Sequence, residues 1–216
     1  MTKNLVVLIS GSGSNLQAII DATKSGQIDG RICAVISNKA DVYGIERAKK
    51  AGIKTHVLNH KAYASREAYD QDLAQVIETY QPDLVILAGF MRILTANFVQ
   101  KFVGKMLNIH PSLLPKYQGL NTHQRALDAK DTEHGVSVHF VTEELDGGPV
   151  VCQACIKVLS NDTAETLAQR IHAEEHIIYP KVVEWFCQDR LTMRNGNAWF
   201  DNELLPPTGI RYAEKN

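Results

Sequence analysis

The sequence predicts an α/β fold: a Rossmann-like, doubly wound, mostly parallel sheet, with antiparallel strands in its C-terminal part. Three observations carry this. Short apolar runs alternate with amphipathic stretches through the first half of the chain, the pattern of strand–helix–strand crossovers. A Gly-x-Gly turn follows the first apolar run. In the second half, two strand-like stretches are joined by a connection too short for a crossover, so they pair antiparallel.

The elements follow in order. Leu5 to Ile9 is a continuous apolar run, as in a strand buried on both faces. After Gly11-Ser12-Gly13-Ser14-Asn15, the segment Leu16 to Ile20 has helical spacing. Arg31 to Ser37 reads as a second strand, and Tyr43 to Ala51 as a helix stopped by Gly52. Lys54 to Leu58 is a short third strand, Arg66 to Tyr80 an amphipathic helix, and Asp83 to Ala88 a fourth buried strand. Met106 to Ile109 is strand-like and runs into His110-Pro111. Residues 112–133 hold Pro115, Gly119 and few periodic apolar positions, so a mobile loop with a short helix near His123 to Ala129 is expected. Gly135 to Val141 and Pro149 to Val158 are the antiparallel strands, joined through Glu143 to Gly148. Thr163 to Phe186 is a long helix with Asp162 as its expected N-cap. Short strands surround an Asn195-Gly196 turn in the last segment. With no repeat or linker, residues 1–216 read as one domain, its 1–105 half binding phosphate and its 106–216 half carrying the chemistry.

Bulk properties narrow the function. The formal net charge is -1, which does not suit nucleic acid as the main partner. Apolar residues make up 44% of the chain, yet no run approaches the roughly 18 that a membrane span needs. A cytoplasmic protein acting on small molecules is expected. Cys152 and Cys155 form a C-x-x-C, but residues three apart on a strand face opposite ways, and no second pair completes a zinc site. No metal is expected.

The glycine turn sits between a buried strand and a helix start, where backbone N–H groups and the helix dipole hold an anion. A dinucleotide fingerprint would place a third glycine at position 16, which is Leu16, and an acidic residue at the end of the second strand, which is Ser37-Asn38-Lys39. A monophosphate fits better than a nicotinamide cofactor. Asn108 and His110 are two apart at a strand end and share a face. Asp146 lies in the later turn before Gly147-Gly148, where it could reach His110. A carboxylate beside an imidazole favours the charged ring and fixes its orientation. An amide and an imidazolium together make an oxyanion hole. With no nucleophile elbow in the chain, direct attack by a substrate amine on a carbonyl is the favoured chemistry. His139 alternates into a buried strand, as a core histidine or a supporting partner, and His172 and His176, four apart on one helix face, read as structural.

These residues carry a resemblance. The stretches VVLISGSGSNLQAII (6–20), LAGFMRIL (87–94), LNIHPSLLPKYQG (107–119), HGVSVHFVTEELDGGPV (134–150) and EEHIIYP (174–180) resemble the folate-dependent glycinamide ribonucleotide formyltransferase family of purine synthesis. The resemblance spans nearly the whole chain and departs from some members at Gln118 and Asn121. It implies the formyltransferase fold, 10-formyltetrahydrofolate as co-substrate, and a monomer or weak homodimer. Carried over, Asn108 and His110 bind the developing oxyanion and Asp146 supports His110. Gly13, Ser14 and Asn15 hold the ribonucleotide phosphate, and Glu175 binds its ribose side. Arg66, Met91, Arg92, Ile93 and Leu94 line the folate site with Asn108, and Thr142, Glu143, Glu144 and Leu145 close its other side. Three rivals share parts of this pattern. A transfer-RNA-directed sister enzyme needs a basic surface and a further barrel domain. A deformylase of the same folate shares the trio but carries an extra N-terminal regulatory domain. A non-catalytic nucleotide-binding module leaves the trio without a purpose.

Overall fold

The computed structural model describes residues 2–212, and the chain forms two compact units, Met1–Asn108 and Ile109–Asn216. The first unit is the parallel part of an α/β fold. Its strands are β1 (Lys3–Ile9), β2 (Gly30–Ser37), β3 (Lys54–Val57), β4 (Leu84–Leu87) and the start of β5 (Met106–His110). They run parallel in the order β5-β4-β1-β2-β3. β1 is central: Val7 pairs with Val35 on one side and Ile86 on the other, and Leu5 to Ile9 are 0% exposed. Burial on both faces is what the continuous apolar run demanded.

Among the described residues of this unit the α-helices are α1 (Ser14–Lys24), α2 (Tyr43–Lys50), α3 (Arg66–Glu78) and α4 (Ala96–Lys101), with one 3-10 turn at His60–Ala62. Ser65 caps α3 by accepting the Ala68 N–H, and Thr95 caps α4 by accepting that of Phe98. α4 is six residues long, too short to show a period, and had no counterpart in the sequence reading.

The second unit pairs β6 (Glu133–Phe140) antiparallel with β7 (Val150–Lys157), as the short connection required, and adds β11 (Ile210–Tyr212) parallel to β7. α6 (Ala164–Cys187) packs on both β6 and β7, burying Leu167, Ile171, Ile178 and Val182. Its N-cap is Thr163, not the expected Asp162: the Thr163 hydroxyl accepts the Thr166 N–H while the Thr166 hydroxyl accepts the Thr163 N–H. Asp162 instead accepts the Leu159 N–H and pairs with Arg170 at 2.6 Å. A small antiparallel sheet, β8 (Leu191–Arg194), β9 (Asn197–Phe200) and β10 (Glu203–Leu204), turns at Asn195-Gly196, both at positive φ as a tight hairpin requires.

The stretch before α5 (Thr122–Asp128) is pinned at several points. The Leu114 N–H donates to Ser137 Oγ, the Ser112 hydroxyl to the Lys116 carbonyl, the Tyr117 hydroxyl to Asp131 and the Thr122 hydroxyl to the Pro111 carbonyl. In the C-x-x-C segment, Cys152 is buried, Cys155 is part-exposed, and both are free. Burial pushes the Cys152 thiol up to about 12, away from the thiolate that redox or metal chemistry needs.

Candidate active site

The glycine turn is built by close backbone contact. Gly13 holds φ +71, and a Cβ there would stand 2.6 Å from the Cα of Gly44 in α2. The Gly44 N–H donates to the Gly11 carbonyl at 3.1 Å, and Arg47 Nε donates to the Ser12 carbonyl at 2.8 Å. With its carbonyls held from α2, the turn leads directly into α1 at Ser14, whose first-turn N–H groups have no partner within the helix. A helix start of this kind is where backbone N–H groups can meet an anion. Leu16, where a dinucleotide fold would need glycine, is a 0% exposed core residue.

In the same unit, Arg66 is exposed on the first turn of α3. Met91 and Ile93 are 61% and 55% exposed, apolar side chains in water beside half-buried Leu94. Arg92 lies with its guanidinium 4.4 Å over the ring of Tyr69, a pairing no sequence spacing announced. Asn108 is half-buried on β5, two residues before His110.

In the second unit, Asp146 is the organising group. It adopts φ +50, a conformation asparagine and aspartate tolerate best among side-chain-bearing residues. A Cβ at Gly148 would meet the Phe140 carbonyl oxygen at 1.8 Å, so only glycine lets the turn close this tightly. The Asp146 side chain is 9% exposed. Its Oδ2 accepts the Gly119 N–H at 2.9 Å and stands 3.4 Å from His110 Nδ1, while Oδ1 stands 3.7 Å from His139 Nε2. His110 Nε2 donates to the Tyr117 carbonyl at 2.8 Å, so both ring nitrogens face acceptors. His139 Nδ1 donates to the Phe140 carbonyl at 2.9 Å, and burial holds this ring towards its neutral form. His139 therefore lies beside the carboxylate as a neutral ring whose proton goes to the backbone. Of the remaining expected site residues, Thr142 is half-buried, Glu143, Glu144 and Leu145 are exposed, and Glu175 is 5% exposed on α6.

A second histidine pair escaped the sequence reading because its members are not in register on one element. His123 Nδ1 lies 3.1 Å from His134 Nε2, with ring planes at 89°. Burial and mutual repulsion hold His134 down to about 4, and burial lowers His123. An unfolded histidine takes up its proton near pH 6.5. Stability from the neutral pair is therefore full above that value and is lost as pH falls from 6.5 towards 4, where the unfolded chain binds the extra protons. His134→Asn should flatten this slope by up to one proton, about 1.4 kcal/mol per pH unit. Urea midpoints at pH 7, 6 and 5 measure it, and an unchanged slope would remove His134 from the acid response.

An α/β fold with a glycine turn between its first strand and first helix, and with a buried histidine–carboxylate pair at the end of a strand, fits an enzyme of group transfer. The chain belongs to the formyl transferase family, whose model matches residues 3–183. It is 57% identical over 211 residues to phosphoribosylglycinamide formyltransferase of Escherichia coli, covering 98% of this chain and 100% of that protein. It is 49% identical over 201 residues to the human trifunctional purine biosynthetic protein adenosine-3, covering 92% of this chain and 20% of that one. The solved phosphoribosylglycinamide formyltransferase of Coxiella burnetii superposes with a TM-score of 0.95 at 51% identity, covering 99% of this chain and all of the other. Among the described residues, no group of three or more His, Cys, Asp or Glu is placed to hold a metal ion, and no helix is long and apolar enough to cross a membrane.

Proposed function

We propose that this protein transfers the formyl group of 10-formyltetrahydrofolate to the amine of 5′-phosphoribosylglycinamide, a step of de novo purine (IMP) synthesis. The named relatives support the acceptor. The single observation that carries the chemistry is Asp146, buried and aimed at His110 while it accepts the Gly119 N–H. The amine attacks the formyl carbon directly, and the oxygen that gains charge is met by the Asn108 amide and the His110 imidazolium. Oriented donors stabilise that oxygen because they need not reorganise as charge develops. The carboxylate of Asp146 stands beside the ring at Nδ1 and fixes its orientation. For His110 Nε2 to serve the substrate, it must exchange the Tyr117 carbonyl for the formyl oxygen. The tetrahedral intermediate then collapses: the bond between the formyl carbon and the folate nitrogen breaks, and the proton lost by the amine reaches that nitrogen through His110 or an ordered water.

Gly13, Ser14 and Asn15 are assigned to the phosphate of the ribonucleotide and Glu175 to its ribose side. Arg66, Met91, Arg92, Ile93 and Leu94, with Asn108, are assigned to the folate. Exposed Met91 and Ile93 give the apolar surface a flat pteridine needs. Thr142, Glu143, Glu144 and Leu145 complete the folate assignment. The reading needs no metal or nicotinamide, and it describes a cytoplasmic enzyme of small molecules, monomeric or weakly dimeric, without nucleic acid or membrane. Gly13→Val tests the phosphate assignment. A branched side chain there is strained at positive φ and collides with Gly44. The half-saturating concentration of the ribonucleotide should rise at least tenfold more than that of the folate, measured with each substrate varied in turn. Equal rises would make the turn a scaffold only.

A further inference from the structure

The segment assigned to the folate is held in place by a buried polar relay that none of its own side chains supplies. Ser10 directly follows β1, just before the glycine turn, and is 4% exposed. Its hydroxyl accepts the Met91 N–H at 2.8 Å and donates to Asn38 Oδ1 at 2.6 Å. Asn38, 2% exposed, has its Nδ2 3.3 Å from His60 Nδ1, which also lies 3.1 Å from the Asn38 carbonyl. The His60 ring in turn meets the edge of Tyr69 at 88°, and Tyr69 carries the Arg92 guanidinium on its face. Farther along, Asp70 Oδ2 accepts the Thr95 N–H at 2.6 Å. Met91, Arg92 and Thr95 are therefore each fixed from below by a buried partner, while Met91 and Ile93 present their side chains to solvent. No helix or strand holds residues 91–94, so their backbone has these tethers in place of a ladder.

We propose that Ser10, backed by Asn38 and His60, is a positioning residue for the Met91–Leu94 segment and sets the affinity for the folate donor without touching it. The proposal rests on the folate assignment made above. Removing the hydroxyl takes the partner from a part-buried N–H and from a buried amide oxygen, and leaving the buried oxygen unmatched is costlier than the bond itself is worth. The segment relieves that cost by moving, and the surface it offers the pteridine moves with it.

The experiment compares Ser10→Ala, Asn38→Ala, Asn38→Asp, the Ser10→Ala/Asn38→Ala double variant and Arg92→Ala in the full chain. Initial rates are measured with 10-formyltetrahydrofolate and the ribonucleotide varied separately, and melting is followed for each variant. Ser10→Ala and Asn38→Ala should each raise the KM for the folate about tenfold while the KM for the ribonucleotide changes less than twofold. The double variant should cost little more than the worse single one, because both break one chain of bonds. Asn38→Asp keeps an acceptor for the Ser10 hydroxyl and should restore most of the folate affinity. Hydrogen exchange at the Met91 amide should quicken in the variants that lose affinity, which keeps the test open through Asn38→Ala if Ser10→Ala does not fold. Equal losses for both substrates, additive effects or unchanged folate KM would overturn the positioning role. Arg92→Ala separates the two levels: if it leaves folate affinity intact the folate assignment fails, and if it weakens folate while Ser10→Ala does not, only the relay fails.

Discussion

His110→Ala is expected to lower turnover by about a hundredfold or more at saturating substrates, the usual loss when one oxyanion donor is removed. The ring is 6% exposed and fixed on both sides, by Asp146 at Nδ1 and the Tyr117 carbonyl at Nε2. Once Nε2 has exchanged the Tyr117 carbonyl for the formyl oxygen, a ring already oriented at Nδ1 gives its hydrogen bond to the developing oxyanion. Alanine removes the donor and leaves Asp146 with the Gly119 N–H, so the turn keeps that tie. Asn108→Ala should cost a similar factor. The double variant should lose much less than the product of the two, because the groups act on one oxygen as a unit. Rates under saturating conditions, beside melting curves for each variant, check this. Near-normal turnover in His110→Ala would show that the chemistry lies elsewhere.

Asp146→Asn should lower turnover by about tenfold or more while leaving the fold intact. Asparagine tolerates the left-handed conformation that Asp146 adopts, so the turn survives the change. The amide oxygen can still accept the Gly119 N–H. What is lost is the negative charge 3.4 Å from the ring and the acceptor that orients it. Rates at saturating substrates, beside a melting curve, check this. Unchanged turnover in Asp146→Asn would remove the carboxylate's charge from the mechanism.

Much of the fold was legible because long-range burial leaves a local trace. Leu5 to Ile9 and Leu84 to Leu87 are continuous apolar runs since β1 and β4 are covered on both faces. β10 and β11, of two and three residues, hold no period to read, and β11 is a strand only because β7 offers it an edge. The cap of α6 shows a different limit. Asp162 and Thr163 are both competent, and the choice fell to Thr163 because Thr166 returns its bond. At the candidate site, the closeness of His110 and Asp146 was legible from a strand-end histidine and from a turn whose glycines follow the aspartate. That Gly119 would donate to Asp146, that Tyr117 would occupy His110 Nε2, and that Arg92 would lie on Tyr69 depends on residues brought together by the fold, with no spacing to signal it.

The most direct test of formyl transfer is to follow both products at once, tetrahydrofolate by absorbance and formylated ribonucleotide by mass. The protein is given 10-formyltetrahydrofolate with and without 5′-phosphoribosylglycinamide. Transfer by direct amine attack predicts the two products in equal amounts, and no folate turnover until the ribonucleotide is added. Tetrahydrofolate released without the ribonucleotide would make the protein a hydrolase, and the absence of product with both substrates present would contradict the account altogether.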